Sequence, residues 1–346
     1  MTVSPVYRAR AEDFEVEERL AYEPSGEGTH VYLWVEKRER TTEEVARQLA
    51  AAVGCSPAEV GYAGRKDRVA VARQWFSLPV PAPAAVERLE LDGARVLAAR
   101  AHGHKLRVGK LAGNRFRLVV REIDPATAPL LERRLAALER WGFANRFGAQ
   151  RFGRDGDNAE TGARLLAGGR GPRDRRAARF AISALQSAVF NRLLERRGEL
   201  VGDGRGLDAA GRRPIDLLLP GDLAVKSDSG GVFRVDEPAV EQQRADRGEI
   251  APSGAIFGRK ARLAEGEPGA LERAVLAERG LAAGSLPRIR GLRFDGGRRA
   301  LRTRPAEVSW RTAGWELELR FELVAGAYAS VLLEELFAGL GLVEGC

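Results

Sequence analysis

One stretch of the chain indicates both its fold and its chemistry: GYAGRKDRVAVARQWFSL, from Gly61 to Leu78. Two apolar runs, Val60 to Ala63 and Trp75 to Leu78, predict short strands joined by a polar loop. The loop sets three cations around a single carboxylate, Asp67, and nearby cations favour the ionised form of a carboxylate. An ionised aspartate can act as a nucleophile or a base while cations hold a phosphate backbone. A solvated turn with a local ion pair is the alternative that spacing alone leaves open.

Hydrophobic patterns on both sides of this stretch predict an α+β fold. Strand-like alternation occurs in four more runs: Phe14 to Glu18, His30 to Glu36, Arg115 to Arg121 and Trp315 to Leu323. Apolar residues at helical spacing predict helices in four places: from Thr42 onward, Leu130 to Trp141, Ala177 to Arg197, and about Ala327 to Ala338. The local composition changes near Gly168, where glycine and arginine become frequent and turn residues separate short apolar runs.

Composition excludes several classes of protein. With 346 residues, 44% of them hydrophobic, the chain can build a sizeable core, and its length suggests two domains. No run approaches the roughly 18 apolar residues of a membrane helix, and two distant cysteines rule out a disulfide framework. Three histidines make a zinc site hard to assemble. We therefore expect a soluble, cytoplasmic protein without a metal.

Charge favours a polyanionic partner. Lysine and arginine exceed aspartate and glutamate by 56 − 48 = 8, and the sequence pI is near 9.9. Arginine binds phosphate through two parallel hydrogen bonds, and such contacts release counterions from nucleic acids. A GC-rich genome enriches arginine and glycine in the same way, so composition alone does not decide the partner.

A second stretch, Gly142 to Asn158, mixes amide, aromatic and guanidinium groups. Asn145, Phe147 and Arg151 lie close together in it, around Gly148. Aromatic rings stack on bases, amides read base edges and arginines contact phosphates, as recognition of an unpaired base requires. The alternative is a core loop whose phenylalanines pack inward.

Taken together, these segments resemble the TruD-type tRNA pseudouridine synthases over nearly the whole chain. The resemblance is carried by eight segments in the family's order: Glu12 to Glu18, Pro24 to Lys37, Gly61 to Leu78, Gly113 to Leu118, Asn145 to Gly153, Ser183 to Leu194, Pro252 to Gly258 and Gly326 to Leu336. A single short match would carry little weight, whereas eight ordered matches at consistent intervals are specific.

The resemblance implies a fold and a reaction. It implies an α+β catalytic domain with a mixed or antiparallel sheet and flanking helices, formed by residues 1–170 and 304–346. An inserted α/β TRUD domain would span residues 171–303. Enzymes of this family convert uridine to pseudouridine without a cofactor or metal, typically at position 13 in the D arm of tRNA, with glutamate tRNA the usual bacterial target. We expect a monomer.

The resemblance also implies roles for particular residues. The catalytic aspartate of the family falls on Asp67. Five further positions are expected at the substrate: Phe147, which would stack on the target uracil, and Asn145, Lys66, Arg8 and Phe14. Arg8 stands where the family commonly has lysine, and Arg65 replaces an apolar residue. Candidate phosphate contacts are Lys105, Arg107, Lys110, Arg115, Arg298 and Arg299.

Two other functions remain open at this stage. The fold could belong to an RNA-binding protein without activity, although such a protein has no need of the carboxylate of Asp67. It could also modify a different RNA, such as ribosomal RNA.

Overall fold

A computed structural model of the chain describes residues 4–153, 155–201, 208, 210–282, 286, 289 and 291–345. Its strands, in chain order, are β1 (Val6–Tyr7), β2 (Phe14–Leu20), β3 (His30–Arg38), β4 (Gly61–Tyr62), β5 (Val71–Leu78), β6 (Glu90–Leu91), β7 (Ala94–His102), β8 (Leu111–Arg121), β9 (Phe143–Ala144), β10 (Leu223–Lys226), β11 (Val232–Arg234), β12 (Ile250–Ile256), β13 (Gly297–Ala300), β14 (Arg302–Thr303), β15 (Ala306–Ala313), β16 (Glu316–Val324) and β17 (Val343–Glu344). Its α-helices are α1 (Thr42–Val53), α2 (Ala128–Trp141), α3 (Asn158–Leu166), α4 (Arg175–Arg196), α5 (Pro238–Arg247), α6 (Gly266–Ala277) and α7 (Ala329–Leu336).

The chain divides into two compact units. The first contains Met1–Glu139, Pro305–Ala329 and Leu336–Cys346, and the second contains Arg140–Arg304 and Ser330–Glu335. The predicted boundary between residues 303 and 304 lies next to this division. Residues 140–170, however, were expected in the catalytic domain and pack in the second unit. They do so because β9 pairs with β14, and because Gly162 of α3 lets that helix approach α4 closely.

The first unit is built on an eleven-stranded sheet. Eight strands follow one another in the order β15-β16-β8-β2-β5-β3-β7-β6, and β1, β17 and β4 pair beside this path. The β2–β5 and β1–β17 pairs are parallel, and the remaining pairs are antiparallel. The predicted α+β fold with a mixed sheet is confirmed, and the predicted strands and helices occur with shifted ends.

Helix α1 packs on one face of this sheet. Thr41 caps its first turn by accepting a hydrogen bond from the Glu44 amide, while the Glu44 carboxylate accepts one from the Thr41 amide. Gly54 ends the helix in the left-handed conformation, at φ 71°. The apolar face of α1 packs on alternate residues of β3 and β5, in a buried cluster that includes Val31, Leu33, Val35, Val45, Leu49, Phe76 and Leu78.

A ladder of alternating charges crosses the exposed face of the sheet. Each carboxylate lies between the guanidinium groups of neighbouring strands, at nitrogen–oxygen distances of 2.7, 2.8 and, at one step, 3.6 Å. From β16 to β7 the ladder runs Glu318, Arg117, Glu15, Arg73, Glu36 and Arg95. Opposite charges on adjacent strands favour one register of pairing over a slipped one.

The second unit combines helices with a four-stranded antiparallel sheet, ordered β11-β10-β12-β13. One of its apolar clusters joins α4 and α6. Helix α4 begins at Arg175 because the Asp174 side chain accepts hydrogen bonds from the amides of Arg176 and Ala177. In the described part of the chain, no helix has both the length and the apolar character needed to cross a bilayer.

The charge ladder predicts that the free energy of unfolding depends on pH. Hydrogen bonds from Arg117 lower the pKa of Glu318 from 4.5 to about 2. A carboxylate whose pKa is lower in the folded than in the unfolded state stabilises the fold at any pH above its unfolded-state pKa. This contribution is lost as the pH falls through the folded-state pKa. We expect Glu318→Gln to lower the free energy of unfolding at pH 7 by about 1–2 kcal/mol, because solvent at the exposed face of the sheet screens the ion pair.

Urea denaturation of both proteins between pH 7 and pH 3 measures this difference, which should shrink below about pH 4.5. Glu307→Gln is the control, because Glu307 is an exposed carboxylate whose pair with Arg115 spans 3.3 Å. The control should change stability by less than about 0.5 kcal/mol. A pH-independent difference between wild type and Glu318→Gln would contradict the prediction.

Candidate active site

Asp67 lies in the loop between β4 and β5, with its side chain 39% exposed. Its carboxylate accepts a hydrogen bond from the guanidinium of Arg8, which follows β1. The same guanidinium donates to Glu344 at 2.5 Å and lies 3.9 Å from the centre of the Phe14 ring. The structure therefore brings together three of the predicted site residues, Asp67, Arg8 and Phe14, around an accessible carboxylate.

The backbone of Arg8 is in the left-handed region, at φ 58°. This conformation is unfavourable for a residue with a Cβ, and such strain is concentrated at functional sites. The Nε of Arg8 is also buried and has no hydrogen-bond partner among the residues that the structure describes. The surrounding fold thus holds Arg8 in place at a cost in stability.

The cations beside Asp67 in sequence do not surround its carboxylate. Arg65 pairs with Glu43 at 2.5 Å, and Arg68 donates to the carbonyl oxygen of Glu39 at 3.3 Å. An irregular loop points successive side chains in different directions, so proximity in sequence did not predict the ion pair. The partner of Asp67 is Arg8, far from it along the chain.

Lys66 is buried under the loop. Its Nζ lies 2.6 Å from the carboxylate of Glu18 on β2, and both side chains are almost inaccessible to solvent. The second oxygen of Glu18 accepts a hydrogen bond from the Trp75 amide at 3.2 Å, and burial raises the pKa of Glu18. Direct contact between Lys66 and substrate stays a prediction, while the geometry favours a role in fixing the loop.

Lys37 is a residue that the sequence analysis missed. It lies on β3, is completely buried, and donates hydrogen bonds of 2.6 Å to the carbonyl oxygens of Arg40 and Asp67. Burial lowers its pKa from 10.5 to about 8. The signal was present in the alternation of β3, where Lys37 occupies the inward position that follows Val35.

Two further side chains hold the backbone of the loop. The hydroxyl of Thr42 accepts a hydrogen bond from the Lys66 amide at 2.9 Å and donates to Gln74 at 2.8 Å. The amide of Gln74 donates to the carbonyl oxygen of Gly64 at 3.3 Å. Buried polar groups are therefore bonded to the loop main chain at three of the four residues from Gly64 to Asp67.

In the second unit, Asn145 follows β9 and is held by backbone and side-chain bonds. Its amide side chain donates to the Ala300 carbonyl at 3.0 Å, and its backbone amide donates to the Leu301 carbonyl at 2.9 Å. Arg299 donates to the Asn145 carbonyl at 2.8 Å and to its side-chain oxygen at 2.5 Å. Asn145 is thus a fixed group with its side-chain oxygen directed at a cation.

Phe147 is fixed through its main chain. Asn191 of α4 accepts a hydrogen bond from its amide at 2.8 Å and donates to its carbonyl at 2.9 Å. The ring meets Phe190 edge to face at 5.8 Å, and the Arg299 guanidinium lies 4.2 Å from its centre. Arg299 therefore joins Asn145 and Phe147, the two residues that the sequence analysis selected in this segment.

The six predicted phosphate contacts differ in their exposure and in the partners that they have within the fold. Arg107 and Lys110 are exposed, as such a role requires. The prediction for Arg298 is wrong, because its side chain is buried in an ion pair with Glu272 at 2.6 Å. Three others already have partners in the fold. Arg115 forms an ion pair with Glu322, Arg299 donates a hydrogen bond to Asn145, and Lys105 donates one to the carbonyl oxygen of Ala58.

Side chains that could ligate a metal do not cluster in the described residues. No group of three or more histidine, cysteine, aspartate or glutamate side chains occurs there with suitable spacing. His102 and His104 are neighbours whose Nε2 atoms are 3.4 Å apart, and the ring of His102 stacks on Tyr22. They form part of an aromatic cluster.

Comparison with known proteins gives the family. The family described as "tRNA pseudouridine synthase D (TruD)" matches residues 3–170 and 174–336. A tRNA pseudouridine synthase D of Anaeromyxobacter sp. (strain Fw109-5) is 42% identical over 344 residues, covering 97% of this chain and 94% of the relative. One of Thermus thermophilus is 42% identical over 329 residues, covering 95% and 87%.

A solved structure supports the fold. The crystal structure of a putative tRNA pseudouridine synthase D from Methanosarcina mazei matches with a TM-score of 0.73 at 20% identity, covering 97% of this chain and 94% of that one. The family match spans nearly all of the present chain, and the relatives are matched over most of their own length. The chain therefore belongs to the TruD family of tRNA pseudouridine synthases and is an isomerase that acts on tRNA.

Proposed function

We propose that the enzyme isomerises uridine 13 in the D arm of tRNA, with glutamate tRNA as its target and Asp67 as the catalytic carboxylate. The observation that carries the assignment of Asp67 is its ion pair with Arg8, which lies over Phe14. The resemblance to the family supports the choice of nucleotide and tRNA. We expect a monomer in the cytoplasm, where the tRNA substrate is found.

The chemistry requires that a uridine leave its stack. The enzyme must extrude the nucleotide, detach uracil from C1′ of the ribose, rotate it and rejoin it through C5. C5 then loses its proton and N1 gains one, so substrate and product have the same composition. Extrusion costs a few kcal/mol. An ionised carboxylate can attack C1′ as a nucleophile or remove the proton from C2′ as a base, and both steps suit Asp67.

Arg8 would orient that carboxylate. A guanidinium that is hydrogen-bonded to a carboxylate fixes the rotation of the carboxylate group. The exposed fraction of Asp67 leaves room for a ribose to approach. Asn145 and Phe147 are proposed to contact the uracil, the ring by stacking and the amide by hydrogen bonding.

The choice of nucleotide can be tested on transcripts. We expect purified enzyme to place one pseudouridine at position 13 of a glutamate tRNA transcript, detected as a carbodiimide-dependent stop of reverse transcription. The matched control is the same transcript with cytidine at position 13, which should give no stop anywhere. A stop at another position, or in ribosomal RNA alone, would overturn the proposed target while leaving the family assignment intact.

The role of Asp67 predicts a separation of binding from catalysis. Asp67→Asn should abolish tritium release from C5-labelled tRNA, because an amide is neither anionic nor usefully basic at neutral pH. Binding of tRNA should persist, since the substitution keeps the size of the side chain and removes a negative charge. Filter binding and a thermal melt accompany the activity measurement.

The matched control for this variant is Asp92→Asn. Asp92 is a more exposed aspartate of the same unit, 79% exposed and paired with Arg40 at 2.5 Å. Its substitution should leave tritium release unchanged. Release near the wild-type rate from Asp67→Asn would remove Asp67 from the catalytic step.

The proposed stacking of Phe147 predicts a loss of turnover. Phe147→Ala should lower kcat by about 5- to 150-fold, which corresponds to the 1–3 kcal/mol of base–aromatic stacking. Phe233→Ala is the control, because that ring also lies under a guanidinium, 5.7 Å from Arg244. The control should retain its kcat, and equal losses in both variants would indicate a general effect of removing a ring.

A further inference from the structure

We propose that Lys37 is a positioning residue that fixes the main chain at Asp67 from the buried side of the loop. The inference rests on the proposed role of Asp67 and adds to it a group that never meets the RNA. Lys37 lies on β3, which pairs with β5 on one side and β7 on the other, and its ammonium reaches the carbonyl oxygen of the residue whose carboxylate is proposed to react.

The first support for this role is the unusual partner set of Lys37. Other buried cations of the described chain meet carboxylates: Lys66 meets Glu18, Arg197 meets Asp222 and Arg298 meets Glu272. Lys37 instead donates to two carbonyl oxygens, at 2.6 Å each. Burial of a charge is costly unless it is paired, so a lysine satisfied only by main-chain oxygens weakens the fold at neutral pH.

The second support is what the two bonds connect. One carbonyl belongs to Arg40, in the turn between β3 and α1, and the other belongs to Asp67. The ammonium therefore ties the loop to the rigid strand and helix behind it. Charge-assisted hydrogen bonds are shorter and stronger than neutral ones, so they restrict the backbone to which the carboxylate is attached.

The third support is electrostatic. Asp67 raises the pKa of Lys37, whereas burial lowers it more strongly, to about 8. The other charged groups that face the ammonium are Lys66, which lowers its pKa, and Glu43 and Glu44 of α1, which raise it. At pH 7 the ammonium is therefore protonated, which is the form that donates charge-assisted hydrogen bonds to the Asp67 carbonyl oxygen.

The test separates positioning from folding and from binding. Lys37→Met should lower kcat about 100-fold, the effect of displacing a reacting group by about 1 Å. The KM and Kd for tRNA should stay within about twofold of wild type, because the side chain is completely buried. Tritium release is measured well below the melting temperature of each protein.

Arg197→Met is the matched control. It removes a buried cation from the second unit, where Arg197 pairs with Asp222 at 2.5 Å. The control should lower the melting temperature and leave kcat unchanged. Equal kcat in Lys37→Met and wild type, or a loss that the control shares, would overturn the proposal.

A second variant covers the case in which Lys37→Met does not fold. Lys37→Arg keeps a cation that stays protonated far above pH 8. The wild-type kcat should fall above about pH 8 as Lys37 loses its proton, and Lys37→Arg should lack that fall. The same alkaline fall in both proteins would overturn the proposal.

The proposed function and the proposed role of Lys37 can be contradicted independently of each other. An active Asp67→Asn variant would remove the catalytic aspartate itself. An inactive Asp67→Asn variant together with a fully active Lys37→Met variant would leave Asp67 in place and reject only the role of Lys37.

Discussion

Two lysine side chains are buried beneath the loop that carries Asp67, and the position of the loop depends on how their charges are satisfied. Lys66 meets the carboxylate of Glu18, and Lys37 meets main-chain oxygens, one of them from Asp67 itself. An ammonium group without partners cannot remain in a protein interior. The loop therefore cannot shift without leaving a buried ammonium group unpaired, and this constraint sets the place of the Asp67 carboxylate.

Much of the fold could be predicted from the sequence because it depends on local patterns. Alternation identified β2 and β3, and apolar spacing identified α1 and its start. The contacts of Asp67 were harder to predict, because its partner Arg8 is far away along the chain. The side chains of its neighbours in sequence bind other residues. A resemblance to a family supplied Arg8, whereas the alternation of β3 contained the only local sign of Lys37.

Two arginine residues also show that the sequence alone does not predict side-chain contacts. Arg298 and Arg299 are adjacent, and both were expected to contact phosphate. The first is buried against Glu272, and the second fixes Asn145 and lies over Phe147. Whether an arginine faces solvent or supports a motif is decided by tertiary packing, which a local pattern of charges does not contain.

The left-handed backbone of Arg8 has a consequence for engineering. Glycine or asparagine would adopt this conformation more readily, and relief of such strain is worth about 1–3 kcal/mol. A search for heat-resistant variants that ignored turnover would therefore tend to replace Arg8, and so discard the partner of the proposed catalytic carboxylate. Thermal stability and the proposed role of Arg8 favour different residues at this one position.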